Sequence, residues 1–157
     1  MTKMTIDNDG NVGIGGDPTN LLQVFGGSVD SRIQFTNNTS GNGYADGFWV
    51  GMDNNRAYLL QRENQPISFY TNASLKMEIN ADGHLIPYSN NSYDLGSTAN
   101  RWRNIYTNDL NLSNEGSGGN DADGTEGNWT IQEGETDLFI INNKNGKKYK
   151  FALEELK

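Results

Sequence analysis

The side chains able to do chemistry are few, and they do not converge on one mechanism. One histidine, His84, and no cysteine exclude any mechanism or metal centre that needs two imidazoles or a thiolate. His84 follows an Asp-Gly turn and is expected to oppose Asn80 on the solvated face, away from Ile79 and Leu85. Two acidic stretches, Asp7/Asp9/Gly10 and Asp121/Asp123/Gly124/Glu126, faintly resemble calcium loops. Neither fills the ligand positions of an EF-hand loop, and Asp-Gly is above all a turn dipeptide. Glycoside cleavage needs two carboxyl groups about 5 to 9 Å apart; among 20 acidic residues no motif singles out such a pair. There is no G-x-S-x-G elbow, and Gly13-Ile14-Gly15-Gly16 belongs to a hairpin and its exit rather than to a phosphate loop before a helix. The expectation is a protein that is not an enzyme, with no catalytic residue, no metal ligand and no cofactor.

What remains is aromatic. Trp49, Tyr58 and Tyr70 each fall on the opposite side of an alternating strand from their apolar neighbours. They cover a second layer, sit at a subunit interface, or stand exposed as ligand-binding residues; the last is the site expectation carried forward. Trp102 lies between Arg101 and Arg103, a cationic and aromatic group suited to a sugar or an acid. The plainer expectation is that Trp102 packs under a helical turn while the arginines pair with Asp94 and Asp109.

The elements that would hold these residues are short strands. The 157 residues contain 23 Asn and 19 Gly but only 3 Pro, and Asn and Gly supply the positive-φ positions that tight hairpins need. Sixteen aromatic residues argue against disorder. Only 34% of the residues are hydrophobic, so the core is expected to be completed by further copies. A net charge of −8 makes nucleic acid a poor partner. No apolar run approaches the length of about 18 residues that membrane insertion requires.

Met4–Ile14 reads as a hairpin with a three-residue loop, Asn8-Asp9-Gly10. Only that loop puts Met4, Ile6, Val12 and Ile14 on one face. The text returns 73 residues later as Met77–Ile86, with Asp82-Gly83 matching Asp9-Gly10. Apolar residues alternate at Leu22/Val24, Ile33/Phe35, Phe48/Val50/Met52, Leu59, Ile67/Phe69 and Leu75/Met77/Ile79, with turns at Gly26-Gly27, Asn37–Gly43, Asp53-Asn54-Asn55 and Glu63–Pro66. Ser97 or Thr98 is expected to cap one helical turn over Ala99–Arg103, followed by short strands at Ile105–Thr107 and Leu110–Leu112. Near the C-terminus a four-residue loop, Gly134–Asp137, pairs Ile131 with Ile140. A type I′ turn centred on Asn145-Gly146 then pairs Ile140 with Phe151, completing a three-stranded meander over Asn128–Leu153. The expected fold is all-β, with short-stranded sandwich-like modules and this meander. The expected divisions are a module over 1–76, a second hairpin unit and connector over 77–114, a flexible acidic loop over 115–127, and the meander over 128–157.

Three stretches resemble bacteriophage tail-fibre and related virion fibre proteins. Asp9–Gly16, DGNVGIGG, is similar to a unit that recurs along such fibres. Asp46–Ile79 resembles the head-like β module preceding another such unit. Tyr93–Asn114, YDLGSTANRWRNIYTNDLNLSN, resembles a segment near their distal ends and is the most specific of the three. The resemblance implies an intertwined homotrimeric virion appendage, outside the tail or capsid, whose partners are further copies, other virion proteins and a bacterial surface glycan or protein. It implies non-catalytic host recognition, with ligand contacts expected in loops of the Gly26–Gly43 and Asp53–Pro66 regions. Many relatives end in a self-cleaving chaperone with a Ser–Lys dyad; an acidic loop and a meander stand here instead, so no autoproteolysis is carried over. The start at Met1, almost inside a repeat, keeps a second expectation open: a capsid or tail decoration protein without receptor binding. Within the connector, Trp102 and Tyr106 are expected to pack inward.

Overall fold

A computed structural model describes residues 4–26 and 30–155. Gly27, half of the expected Gly26-Gly27 turn, lies outside the described residues. The chain is all-β, with thirteen strands in four small sheets and no helix among the described residues. It forms two compact units, Met1–Asn90 and Asn91–Lys157.

The first sheet joins β1 (Met4–Ile6), β2 (Val12–Ile14) and β3 (Leu22–Val24). Ile6 pairs with Val12 and Met4 with Ile14, the register of the three-residue loop, and Gly10 takes φ +83° at its end. The Asp7 carboxylate closes this turn, accepting from the backbone N–H of Asp9 at 3.0 Å and of Asn11 at 2.9 Å. β3 then runs parallel to β2, Val12 beside Leu22, after a connection far shorter than parallel crossovers normally need. The Gly-rich stretch makes this possible. A Cβ on Gly13 would collide with the Gly16 carbonyl oxygen, and one on Gly15, at φ +89°, with that of Phe25.

The second sheet is an antiparallel meander of β4 (Asp30–Phe35), β5 (Phe48–Asp53) and β6 (Arg56–Gln61). Its register puts Ile33, Val50 and Leu59 in one row, and Arg32, Gly51 and Tyr58 in the next row on the opposite face. The third sheet holds β7 (Ile67–Thr71), β8 (Ser74–Ile79) and β9 (Leu85–Pro87). β7 and β8 are joined by Asn72-Ala73, both at positive φ, 49° and 53°, the backbone of a type I′ turn. β8 and β9 reproduce the first hairpin: Ile79 pairs with Leu85, Gly83 takes φ +88°, and Asn80 Oδ1 accepts from Asp82 and His84 N–H. Asn80 thus does for the second copy what Asp7 does for the first. Because β8 also pairs with β7, the second hairpin shares a sheet with residues before 77.

In the second unit, β10 (Asp109–Ser113), β11 (Asn128–Glu133), β12 (Leu138–Asn142) and β13 (Lys148–Lys150) form one antiparallel sheet. The expected three-stranded meander is therefore four-stranded, since β10 pairs along β11 with Leu112 opposite Trp129. The Gly134–Asp137 loop has the expected register, Ile131 opposite Ile140. The last turn does not. Ile140 pairs with Tyr149 rather than Phe151, and Asn142 and Lys147 close a four-residue loop in which only Gly146 has positive φ, +72°. Asn142 Oδ1 accepts from the Lys144 and Asn145 N–H groups, which favours the longer loop over the expected type I′ turn. A slip of two residues keeps every side chain on its expected face, so Trp129 still meets Tyr149, ring centroids 5.9 Å apart.

The expected sandwich packing is not formed within the described residues. Trp49, 4% exposed, is the one buried hydrophobic side chain among them. Ile33, Val50, Met52 and Leu59 leave the apolar face of the second sheet open, and Leu110, Leu112, Leu138 and Tyr149 do the same for the fourth. Each sheet has only three or four short strands and cannot fold over its own face, so these side chains stay exposed.

Candidate functional site

The polar face of the β4–β5–β6 sheet gathers two of the three aromatic residues singled out from the sequence. Trp49 lies beside Leu60 in the register, and Tyr58 beside Gly51. Tyr70 is elsewhere, on β7 in another sheet, next to a β-bulge and exposed.

Trp49 is the anchor of this face. Its indole N–H donates to the Asp46 carbonyl at 3.0 Å, and the Tyr44 ring meets it edge-on at 5.4 Å. The Arg32 guanidinium lies over the indole at 4.1 Å and over the Tyr44 ring at 4.8 Å; that of Arg62 lies over the indole at 5.1 Å. Each such contact is worth about 0.5–2 kcal/mol, and the indole's burial adds on the order of 5 kcal/mol at about 25 cal/mol per Å². The consequence is that Trp49 is roofed by its own chain and has no free ring face for a ligand.

Tyr58 is half-buried. Its hydroxyl donates to Asp30 Oδ1 at 3.1 Å, reaching across the middle strand because Gly51, between Tyr58 and Arg32, has no side chain in the way. A Cβ on Gly51 would press on both the Tyr58 hydroxyl and Arg32. Asp30 also pairs with Arg32, and Asp53, opposite Asp30 in the register, pairs with Arg56 at 3.1 Å. Burial works against the Arg32 charge, but the Tyr58 and Tyr44 hydroxyls and the Asp30 carboxylate outweigh it and hold its pKa above the ordinary guanidinium value. Together these residues line an open groove of about 560 Å³ in which every charge described has a counter-charge. The arrangement can hold a polar molecule against Tyr44 and Tyr58, whose hydroxyl is tied to Asp30.

The other candidates stay apart. His84 is exposed at its turn. Neither acidic stretch assembles a metal cage: among the described residues no three His, Cys, Asp or Glu side chains come together for an ion. Asp123 instead accepts from the Thr125 hydroxyl at 2.7 Å and its N–H at 3.0 Å, and those bonds, with one from Asn120, lower its pKa. Asp7 is lowered in the same way, chiefly by the Asn11 amide. In the connector, Ser97 accepts from the Asn100 N–H, but the turn does not continue into a helix. Trp102 and Tyr106 are 64% and 91% exposed rather than packed inward, and among the described residues no ion pair joins Arg101 or Arg103 to Asp94 or Asp109. A single helical turn with nothing to pack on is unstable, which accounts for both departures.

Sequence reasoning missed Arg32, Arg62 and Tyr44, which decide what Trp49 can do. Arg32 stood one residue before Ile33 on the polar side of the β4 alternation, and that was the available signal. No protein-family model, no curated protein and no solved structure matches this chain.

Proposed function

We propose that this chain is a virion fibre protein of the bacteriophage type, a homotrimer that attaches to a bacterial surface by non-catalytic binding. The observation that carries the reading is how little the chain buries alone. Trp49 is the single buried hydrophobic side chain among the described residues, while open apolar faces remain on sheets in both units. Faces of that kind are completed by association, and further copies of the same chain are the partner always available. The resemblance of Asp9–Gly16, Asp46–Ile79 and Tyr93–Asn114 to fibre segments supplies the class of assembly. The exposed Trp102, Ile105 and Tyr106 fit a connector that is covered only in the trimer.

A decoration protein without receptor binding would use the same open faces, so assembly does not separate the two readings. Adsorption does. Fluorescently labelled chain incubated with a panel of bacterial strains should bind at least one strain saturably. Absence of saturable binding to every strain, with an intact trimer, would support the decoration reading instead.

A further inference from the structure

We propose that the groove at the open end of the β4–β5–β6 sheet is a binding site for a neutral saccharide. Phe35 pairs with Phe48, and Phe48 with Gln61, so the three lie in one row across the end of the sheet. On either side rise the loops that leave β4 and β6, and between them they enclose about 490 Å³, within the range of about 300–1,000 Å³ typical of small-ligand clefts.

The walls are held in place. Gly47 N–H donates to Glu63 Oε1 at 2.9 Å, Arg62 N–H donates to the Gly47 carbonyl at 3.0 Å, and Arg62 Nε donates to the Ala45 carbonyl at 3.1 Å. The two loops are thereby stapled to each other, and the groove is formed before any ligand arrives.

Its chemistry is that of a sugar site. Phe35 lies in the end row of the apolar face that carries Ile33, Val50 and Leu59; it is 56% exposed and offers a ring face to the C–H side of a pyranose. The rim offers the side chains of Thr36, Thr39, Asn64 and Gln65, none of which makes an intramolecular hydrogen bond among the described residues; amides and hydroxyls both donate and accept, as sugar hydroxyls require. Glu63 is the sole charged residue lining the groove, and one of its oxygens is already taken by Gly47. An anionic ligand would meet no cation there. The site is separate from Trp49, Tyr58 and Tyr70; its lining residues at 36–40 and 63–65 lie in the stretches where the resemblance implies ligand contacts, while Gly47 lies beyond them. The proposal rests on the attachment reading for its biological role but not for its chemistry.

Saturation-transfer NMR on the full chain with neutral hexoses, N-acetylhexosamines and their disaccharides tests it. At least one sugar should show transfer, with affinity falling tenfold or more in Phe35→Ala and in the loop variant Asn64→Ala/Gln65→Ala, which leaves the sheet untouched. No transfer from any sugar, or transfer unchanged in both variants, would overturn the proposal. So would a Phe35→Ala chain whose only change is a loss of oligomeric mass, since the groove would then be a subunit contact. Adsorption to cells that survives both variants would overturn the groove and leave attachment standing. Sugar binding without adsorption to any strain would support the groove while refuting attachment.

Discussion

Gly51 shows how one residue without a side chain shapes the polar face of its sheet. Arg32 and Tyr58 flank it on the neighbouring strands, and the Tyr58 hydroxyl crosses over it to Asp30. Replacing Gly51 with Val should force Tyr58 outward and cost about 1–3 kcal/mol, read as a lower denaturation midpoint together with a rise in tyrosine exposure. At the other end of the chain, Asp137 accepts from Lys150 at 2.7 Å, and that bond, aided by Thr136, lowers its pKa from the ordinary 3.8. A carboxylate depressed in the folded state contributes stability that is present above its unfolded pKa and lost as the pH falls through its folded one. Thermal midpoints measured between pH 7 and pH 2 should therefore fall below about pH 4, and less steeply in Asp137→Asn. A variant with an unchanged acid limb would assign that loss to Asp7 and Asp123, which are lowered in the same direction. Strand alternation placed Trp49 opposite Phe48 and Val50, but it could not show that Arg32 and Arg62 would cover the indole. That depends on strand partners distant in sequence.

Hairpins are where local sequence told most. Asp9-Gly10 and Asp82-Gly83 announced their turns, and the need to keep Met4, Ile6, Val12 and Ile14 on one face selected the loop length. The matching roles of Asp7 and Asn80 were also written 73 residues apart, though a side chain that bonds its own turn is visible only once the turn is built. Three features were not legible because each depends on competition between partners. β3 adds in parallel to β2, β10 joins the C-terminal sheet, and Asn142 draws the last hairpin into a longer loop. The β7–β8 turn was missed for another reason. Ala73 has no sequence mark for positive φ, yet it sits at 53°, where an L-residue pays about 1–2 kcal/mol. Ala73→Gly should accordingly raise stability by up to about 1 kcal/mol, since glycine's greater unfolded-state entropy offsets part of the gain. A lowered midpoint in that variant would show that the turn does not hold this backbone.

At the scale of the whole molecule, four sheets each leave apolar side chains open, from Ile6 and Leu22 in the first to Leu110 and Leu138 in the fourth. Shortage of hydrophobic residues was legible in the composition; which faces would stay uncovered was not, because that required knowing which strands pair with which. On the proposed reading, copies of this chain cover one another's open faces. Light scattering coupled to size exclusion, at micromolar concentration and neutral pH, reads that association as mass. A species of three times the 17.4 kDa chain mass that persists on dilution is expected. A folded species at the mass of a single chain throughout the same range would contradict it.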